Sequence, residues 1–185
     1  MKNADFRIFL ALTLVVSVFP VFLSEIKESF ADKIIDTIDI GSFPNDIAYN
    51  PSNKHMYVTS EEGVSVIDSL TNTVTGTIPL DARGIVYNSM NNQMYVANGE
   101  GGLSVINSLT NTVVKTIHDA AAGLGSMAYN PENNYVYVLS GPFGDQGHRG
   151  LVTFIDTITN SVAGNFTVGN LLSQIEYNPA NNDFI

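Results

Sequence analysis

The chain has 185 residues, 44% of them hydrophobic and only 14% charged, with a formal net charge of −10. That length and apolar content suit one domain with a core, while an acidic chain with few, scattered cations lacks the basic patch of a nucleic-acid binder. The absence of cysteine excludes a disulfide framework, a thiolate metal site, a cysteine nucleophile and a haem-attachment Cys-x-x-Cys-His.

The first seven residues are weakly basic. Residues 8–23 form an apolar run of 16, interrupted only by Thr13, Ser17 and Pro20. This is short for a transmembrane helix and suits the apolar region of a signal peptide. Ser29 and Ala31 are small residues at the −3 and −1 positions of a cleavage site, with Asp32 as the new N-terminus. Residues 1–31 are therefore expected to be a signal peptide, the rival being an uncleaved N-terminal anchor. Either places the remainder outside the cytoplasm, secreted or at the cell surface, and cleavage leaves no membrane span. Lys2, Arg7 and Lys27 balance Asp5, Glu25 and Glu28, so residues 32–185 carry the whole −10.

Residues 33–40 have the pattern of a lone strand, which in a ring of repeats would complete the outer edge of the last unit. A recurring unit follows. Tyr49-Asn50-Pro51-Ser52-Asn53 begins it, and Tyr87-Asn88, Tyr129-Asn130 and Tyr177-Asn178 begin the later copies. The spacings are 38, 42 and 48 residues. A second anchor travels with the first: Val66-Ile67-Asp68-Ser69-Leu70-Thr71-Asn72, Val105-Ile106-Asn107-Ser108-Leu109-Thr110-Asn111 and Phe154-Ile155-Asp156-Thr157-Ile158-Thr159-Asn160. A period near 40 with several strand-like runs per copy predicts a propeller or related repeat array.

The first copy divides into four predicted strands: A at 46–50, B at 55–60, C at 63–68 and D at 73–80. All are rich in Val, Ile, Tyr and Thr and alternate in polarity. No stretch after residue 32 sustains a helical period. In the A–B turn Pro51 presets φ and Asn53 is expected in the left-handed region. In the C–D turn Asp68 accepts from backbone N–H groups two or three residues on, and Asn72 suits a positive φ. The same chemistry accounts for Asn107 and Asp156. The predicted fold is all-β, a β-propeller with four-stranded antiparallel blades, incomplete at about three and a half: 46–80, 84–118, 126–168 and 174–185. Propellers usually have four to eight blades. The expectation is a fragment of a longer ring, the alternative a pairing of two half-propellers.

Tyr-Asn-Pro-x-Asn-Asn, then Tyr-Val, then Val-x-Val-Ile-Asp-x-x-Thr-Asn-x-Val resembles the YVTN β-propeller repeat of prokaryotic exported proteins, surface-layer proteins among them. The resemblance covers about residues 33–185. Ser89 stands where other copies have Pro, Asn107 where they have Asp, and the third copy carries an insertion. It implies a propeller fold without implying one activity.

Alternating connections put A–B and C–D turns on one face of the disc and B–C and D–A loops on the other. The second set is the more variable, and binding is expected there. Its longest loop, residues 141–150, holds Asp145 and His148, candidate metal ligands or an acid/base pair, against the plainer reading of a Gly-rich loop. Asp46 and Arg83 open A strands near the expected axis, and Glu176 takes the place of Ala48, Val86 and Ala128. These three are candidate channel-lining ligand groups, against the plainer reading of solvated strand ends. His55 and His118 read as exposed strand ends. Asn165-Phe166-Thr167 is an N-glycosylation sequon. No catalytic residue, metal or cofactor is predicted. The function expected is a non-catalytic exported module that binds protein, cell-envelope or glycan partners or serves structurally. The alternative is a propeller enzyme (lactonase-like hydrolase, lyase or redox propeller) whose site lies in missing blades.

Overall fold

The computed structural model describes residues 37–99, 101–118, 120, 126–140, 149–170 and 173–184. The chain divides into two compact units, Met1–Thr37 and Ile38–Ile185, and the described strands all lie in the second. The leader read at residues 1–31 lies outside the described residues.

Each repeat copy folds into its own antiparallel sheet. The first comprises β1 (Asp46–Asn50), β2 (His55–Ser60), β3 (Gly63–Asp68) and β4 (Thr73–Ile78). The second comprises β5 (Ala82–Asn88), β6 (Gln93–Asn98), β7 (Leu103–Asn107) and β8 (Thr112–Ile117). The third comprises β9 (Ser126–Asn130), β10 (Tyr135–Ser140), β11 (Arg149–Asp156) and β12 (Ser161–Asn170). The fourth begins with β13 (Tyr177–Asn178) and β14 (Asp183–Phe184). Spatial order follows chain order in every sheet. Innermost strands adjoin one another, β1 beside β5, β5 beside β9 and β9 beside β13. These are propeller blades: three whole, and the first two strands of a fourth. No helix occurs among the described residues, so none there is long and apolar enough to cross a membrane.

The sequence pattern explains the packing. Alternate residues of β6 point to opposite neighbours. Met94 and Val96 pack against Tyr57, Val66 and Ile78 of blade one. Tyr95 and Ala97 pack against Val136, Val138 and Ile155 of blade three. A strand buried on both faces must be apolar throughout, and Met94 to Ala97 are all buried. The outer strands β4 and β8 are exposed along all but their last residue and are built of Thr, Val, Gly and Lys. Each whole blade also carries a bulge at one equivalent place, between Val66 and Ile67, Val105 and Ile106, and Phe154 and Ile155. The extra residue lies in the outer strand, where it increases local twist.

Four sequence expectations need correction. The strand expected over 33–40 is not formed at its described end, where residues 37–40 are irregular. The left-handed residue of the first A–B turn is Lys54 (φ 59), not Asn53, as it is Asn92, Asn134 and Asn182 in the later copies. The turn closes from Lys54 N to Asn50 O, so the residue at the closing N–H reverses the chain, while Asn53 Oδ1 accepts from His55 N. Strand D of the first blade ends at Ile78. Part of the blade-three insertion lengthens the sheet, since β11 begins at Arg149 and β12 runs to Asn170.

Candidate functional site

Polar residues of the recurring turns and strands join blade to blade. Asn50 Nδ2 donates to Ser108 Oγ at 2.8 Å. Asn53 Nδ2 donates to Ser108 O at 3.0 Å, and the Tyr57 hydroxyl donates to Asn111 Oδ1 at 2.9 Å. The A–B turn of one blade thus grips the C–D turn of the next. The grip repeats one blade on, where the Tyr95 hydroxyl donates to Asn160 Oδ1 at 2.5 Å and Asn91 Nδ2 reaches Thr157 O at 3.4 Å. Burial is the main cause that raises the Tyr57 hydroxyl above its ordinary range and pushes that of Tyr95 up to about 12. Both stay protonated at physiological pH and act as hydrogen-bond donors, not as acid/base groups.

The second junction is the looser one. Its Asn–carbonyl and Tyr–carbonyl distances are 3.4 and 3.5 Å, against 3.0 and 3.1 Å at the first. Asn88, the counterpart of Asn50, is fully buried, and its Nδ2 lies beside the Tyr95 hydroxyl without a hydrogen bond of good geometry among the described residues. Thr157 stands where the first junction has Ser108. A cleft of about 390 Å³ lies here on the turn face, lined by Met90, Asn91, Gln93, Asn134, Ile158 and Asn160 among others. Asn134 Oδ1 accepts from the Tyr129 hydroxyl, Asn160 Oδ1 from Tyr95, and Gln93 Oε1 from Asn91. Those bonds engage three amide oxygens of the lining, beside the exposed side chains of Met90 and Ile158. The cleft offers neutral donors and aliphatic walls, with no titratable side chain in its lining. A second cavity, of about 210 Å³, lies between blade three and β13–β14 and is lined mainly by Leu139, Val152, Phe166, Val168, Ile175 and Phe184.

The residues singled out from the sequence occupy separate places. Asp46 Oδ1 accepts from Ile47 N at 2.8 Å and Oδ2 from Ile85 N at 2.9 Å, which ties β1 to β5. The Thr59 hydroxyl donates to Arg83 O at 2.6 Å in the same seam. The Arg83 side chain is exposed. Glu176 is exposed and accepts from Gln174 Nε2 at 2.6 Å. No hydrogen bond joins any two of Asp46, Arg83 and Glu176 through their side chains among the described residues. Asp145 and His148 lie outside the described residues. Asn165 is exposed on the outermost strand of blade three, opposite Thr153. His118 is exposed, whereas His55 is half-buried edge-on to Tyr57 with Nδ1 enclosed, so the reading of both as exposed ends holds only for His118. No group of three or more His, Asp or Glu among the described residues is placed to hold a metal ion. Sequence reasoning favoured the loop face and missed the turn-face cleft. The available signal was the run of exposed aliphatics at one repeat position, Leu70, Leu109 and Ile158.

Blades in this order, joined in this way, define a β-propeller. No family model matches the sequence, and no curated protein matches it either. Solved β-propeller structures do. A hydrazine synthase of Kuenenia stuttgartiensis superposes with a TM-score of 0.71 at 20% identity, over 80% of this chain and 44% of that one. The dihydro-heme d1 dehydrogenase NirN gives 0.57 at 18% identity, over 76% and 31% of the two chains. A eukaryotic initiation factor gives 0.55 at 10% identity, over 76% and 36%. The chain spans less than half the length of each, and likeness at such identities concerns the fold.

Proposed function

We propose that this chain is an exported, non-catalytic β-propeller of the YVTN repeat type, a binding or structural module at the cell surface. One observation supports the reading: the turn-face cleft is lined by amide, hydroxyl and aliphatic side chains. Neutral amide donors between aliphatic walls bind uncharged acceptor groups and have no means of moving protons. Supporting features from the sequence are the leader-like residues 1–31 and the acidic surface. On this reading the turn-face cleft meets protein or glycan partners of the cell envelope, and Asn165 is a glycan acceptor. Asp46, Arg83 and Glu176 then serve as structural or solvated groups of the channel end.

The test uses isolated cell envelopes. Retention of the chain on them should fall at least tenfold on Ile158→Asp together with Met90→Asp, with the urea midpoint unchanged because both side chains are exposed. Equal retention by the double variant removes the cleft from the proposal. Turnover of lactones or glycosidic substrates by the wild-type chain overturns the non-catalytic reading.

A further inference from the structure

The turn-face cleft lies between two whole blades, and its amides are held by the blades themselves. Gln93 Oε1 accepts from Asn91 Nδ2 at 3.0 Å and from the Tyr95 hydroxyl at 3.3 Å. Asn160 Oδ1 accepts from the Tyr95 hydroxyl at 2.5 Å, and Asn134 Oδ1 from the Tyr129 hydroxyl at 3.0 Å. A carboxamide is planar, so fixing its oxygen fixes its nitrogen as well. Gln93 Nε2, Asn134 Nδ2 and Asn160 Nδ2 donate to no group among the described residues. The walls beside them are aliphatic. Met90 holds the repeat position of Ser52, whose hydroxyl is bonded to that of Tyr87 at 3.0 Å. Met90 is instead 67% exposed, and Ile158, in the facing C–D turn, is 81% exposed. About 390 Å³ of space therefore combines fixed, unspent amide donors with two aliphatic side chains.

We infer that this cleft takes an extended, uncharged peptide segment of a partner protein, an inference that rests on the proposed binding role of the cleft and narrows it. A peptide chain matches both parts of the lining. Its main-chain carbonyls accept from the three unspent amide nitrogens, and its N–H groups donate to the second lone pairs of Asn134 Oδ1 and Asn160 Oδ1. An aliphatic side chain of the segment seats against Met90 and Ile158, where the unbranched thioether adapts to its shape. Main-chain bonds then supply affinity and the aliphatic contact supplies selectivity. A saccharide presents hydroxyls that suit the amides but not the aliphatic walls. A charged segment gives up hydration against neutral partners. Because tyrosine and asparagine already hold the amides, binding orders few side chains.

The experiment follows the side-chain amide resonances of Gln93, Asn134 and Asn160 by nuclear magnetic resonance in the isotope-labelled 185-residue chain. The probe is the peptide acetyl-Ser-Leu-Ser-Leu-Ser-amide, and N,N′-diacetylchitobiose is titrated in parallel. Main-chain recognition tolerates sequence, so the peptide should shift all three resonances saturably, with a Kd on the order of 1 mM. Asn134→Asp keeps an acceptor for Tyr129 and suits the local φ of 59°, but removes a donor, and should weaken binding roughly three- to tenfold. Met90→Ser, which restores the residue of the first junction, should weaken it by a similar factor, with far-ultraviolet circular dichroism confirming the fold. Leu70→Ser, at the position equivalent to Ile158 in blade one, should leave it unchanged. Absence of saturable shifts overturns the inference, as does an equal loss from Leu70→Ser, which would mean unspecific adhesion. Saturation by the saccharide without a response to the peptide also overturns it. If envelope retention falls in the Met90 and Ile158 double variant while the peptide has no effect, the binding role stands and the peptide inference alone fails. Saturable peptide binding with unchanged envelope retention removes the envelope reading instead.

Discussion

Tyr95 is fully enclosed, yet its hydroxyl ends in the junction between blades two and three, 2.5 Å from Asn160 Oδ1. A buried hydroxyl deprived of its acceptor, or an acceptor deprived of its donor, costs about 1–3 kcal/mol. Tyr95→Phe leaves the ring in place and strands the carbonyl oxygens, so urea denaturation should show a loss of about 1–2 kcal/mol. Its pH dependence is set by burial, which pushes the phenol up to about 12 from an ordinary value of 10.0. The unfolded chain then ionises first, so the contribution of Tyr95 is complete below pH 10 and is lost as pH rises through about 12. Wild type should lose more stability between pH 9 and 12 than Tyr95→Phe does, and parallel curves would remove Tyr95 as the cause. At this scale the sequence was partly legible. The Asp68, Asn107 and Asp156 carboxyl and amide oxygens accept from the backbone N–H groups expected from their spacing. The tyrosine–asparagine grip was not legible, because it joins residues 54 and 65 positions apart and no local pattern encodes that pairing.

Equivalent turns differ in what lies beside them. Asn72 and Asn111 close the C–D turns of adjacent blades with φ of 55 and 52°. Asn111 also receives the Tyr57 hydroxyl of the preceding blade. No such tyrosine among the described residues reaches Asn72. Glycine adopts the left-handed region freely, so Asn72→Gly should stay within about 0.5 kcal/mol of wild type. Asn111→Gly should lose about 1 kcal/mol or more, because the Tyr57 hydroxyl loses its acceptor. Matched thermal melts of the two variants check this, and equal losses would show that turn geometry alone matters. The strands themselves were readable because short runs rich in Val, Ile, Tyr and Thr, bounded by Asn-rich turns, recur from copy to copy. The bulges at Val66/Ile67, Val105/Ile106 and Phe154/Ile155 were not. They insert one residue into an exposed outer strand, where the burial pattern that sets register is weakest. Gly164 marks one of them: it faces the Phe154 ring so closely that an added Cβ would stand 2.5 Å from it. That glycine was a signal available in the sequence without a register to interpret it.

Whole-molecule stability follows from how many faces each blade covers. Ile47 and Ile85 hold the same repeat position, yet Ile85 is 4% exposed beneath blade one while Ile47 is 55% exposed. Burying such a side chain contributes roughly 1.5–3 kcal/mol, and the middle blade gains it on both sides. Each blade in such an array contacts only its neighbours, so local stability is a sum of blade and junction terms. Amide exchange should therefore be slowest in β6 and β7, whose strands are packed between two neighbours, and fastest in β13–β14. Met94 is fully buried at the first junction, so Met94→Ala should destabilise by about 2–4 kcal/mol. If coupling is nearest-neighbour, exchange in β1 to β4 should accelerate by a larger factor than in β9 to β12, because Met94 packs against blade one and not blade three. Equal acceleration of both outer blades would mean that the three sheets unfold as one cooperative unit, with the inter-blade asparagine and tyrosine bonds transmitting the loss across the middle blade.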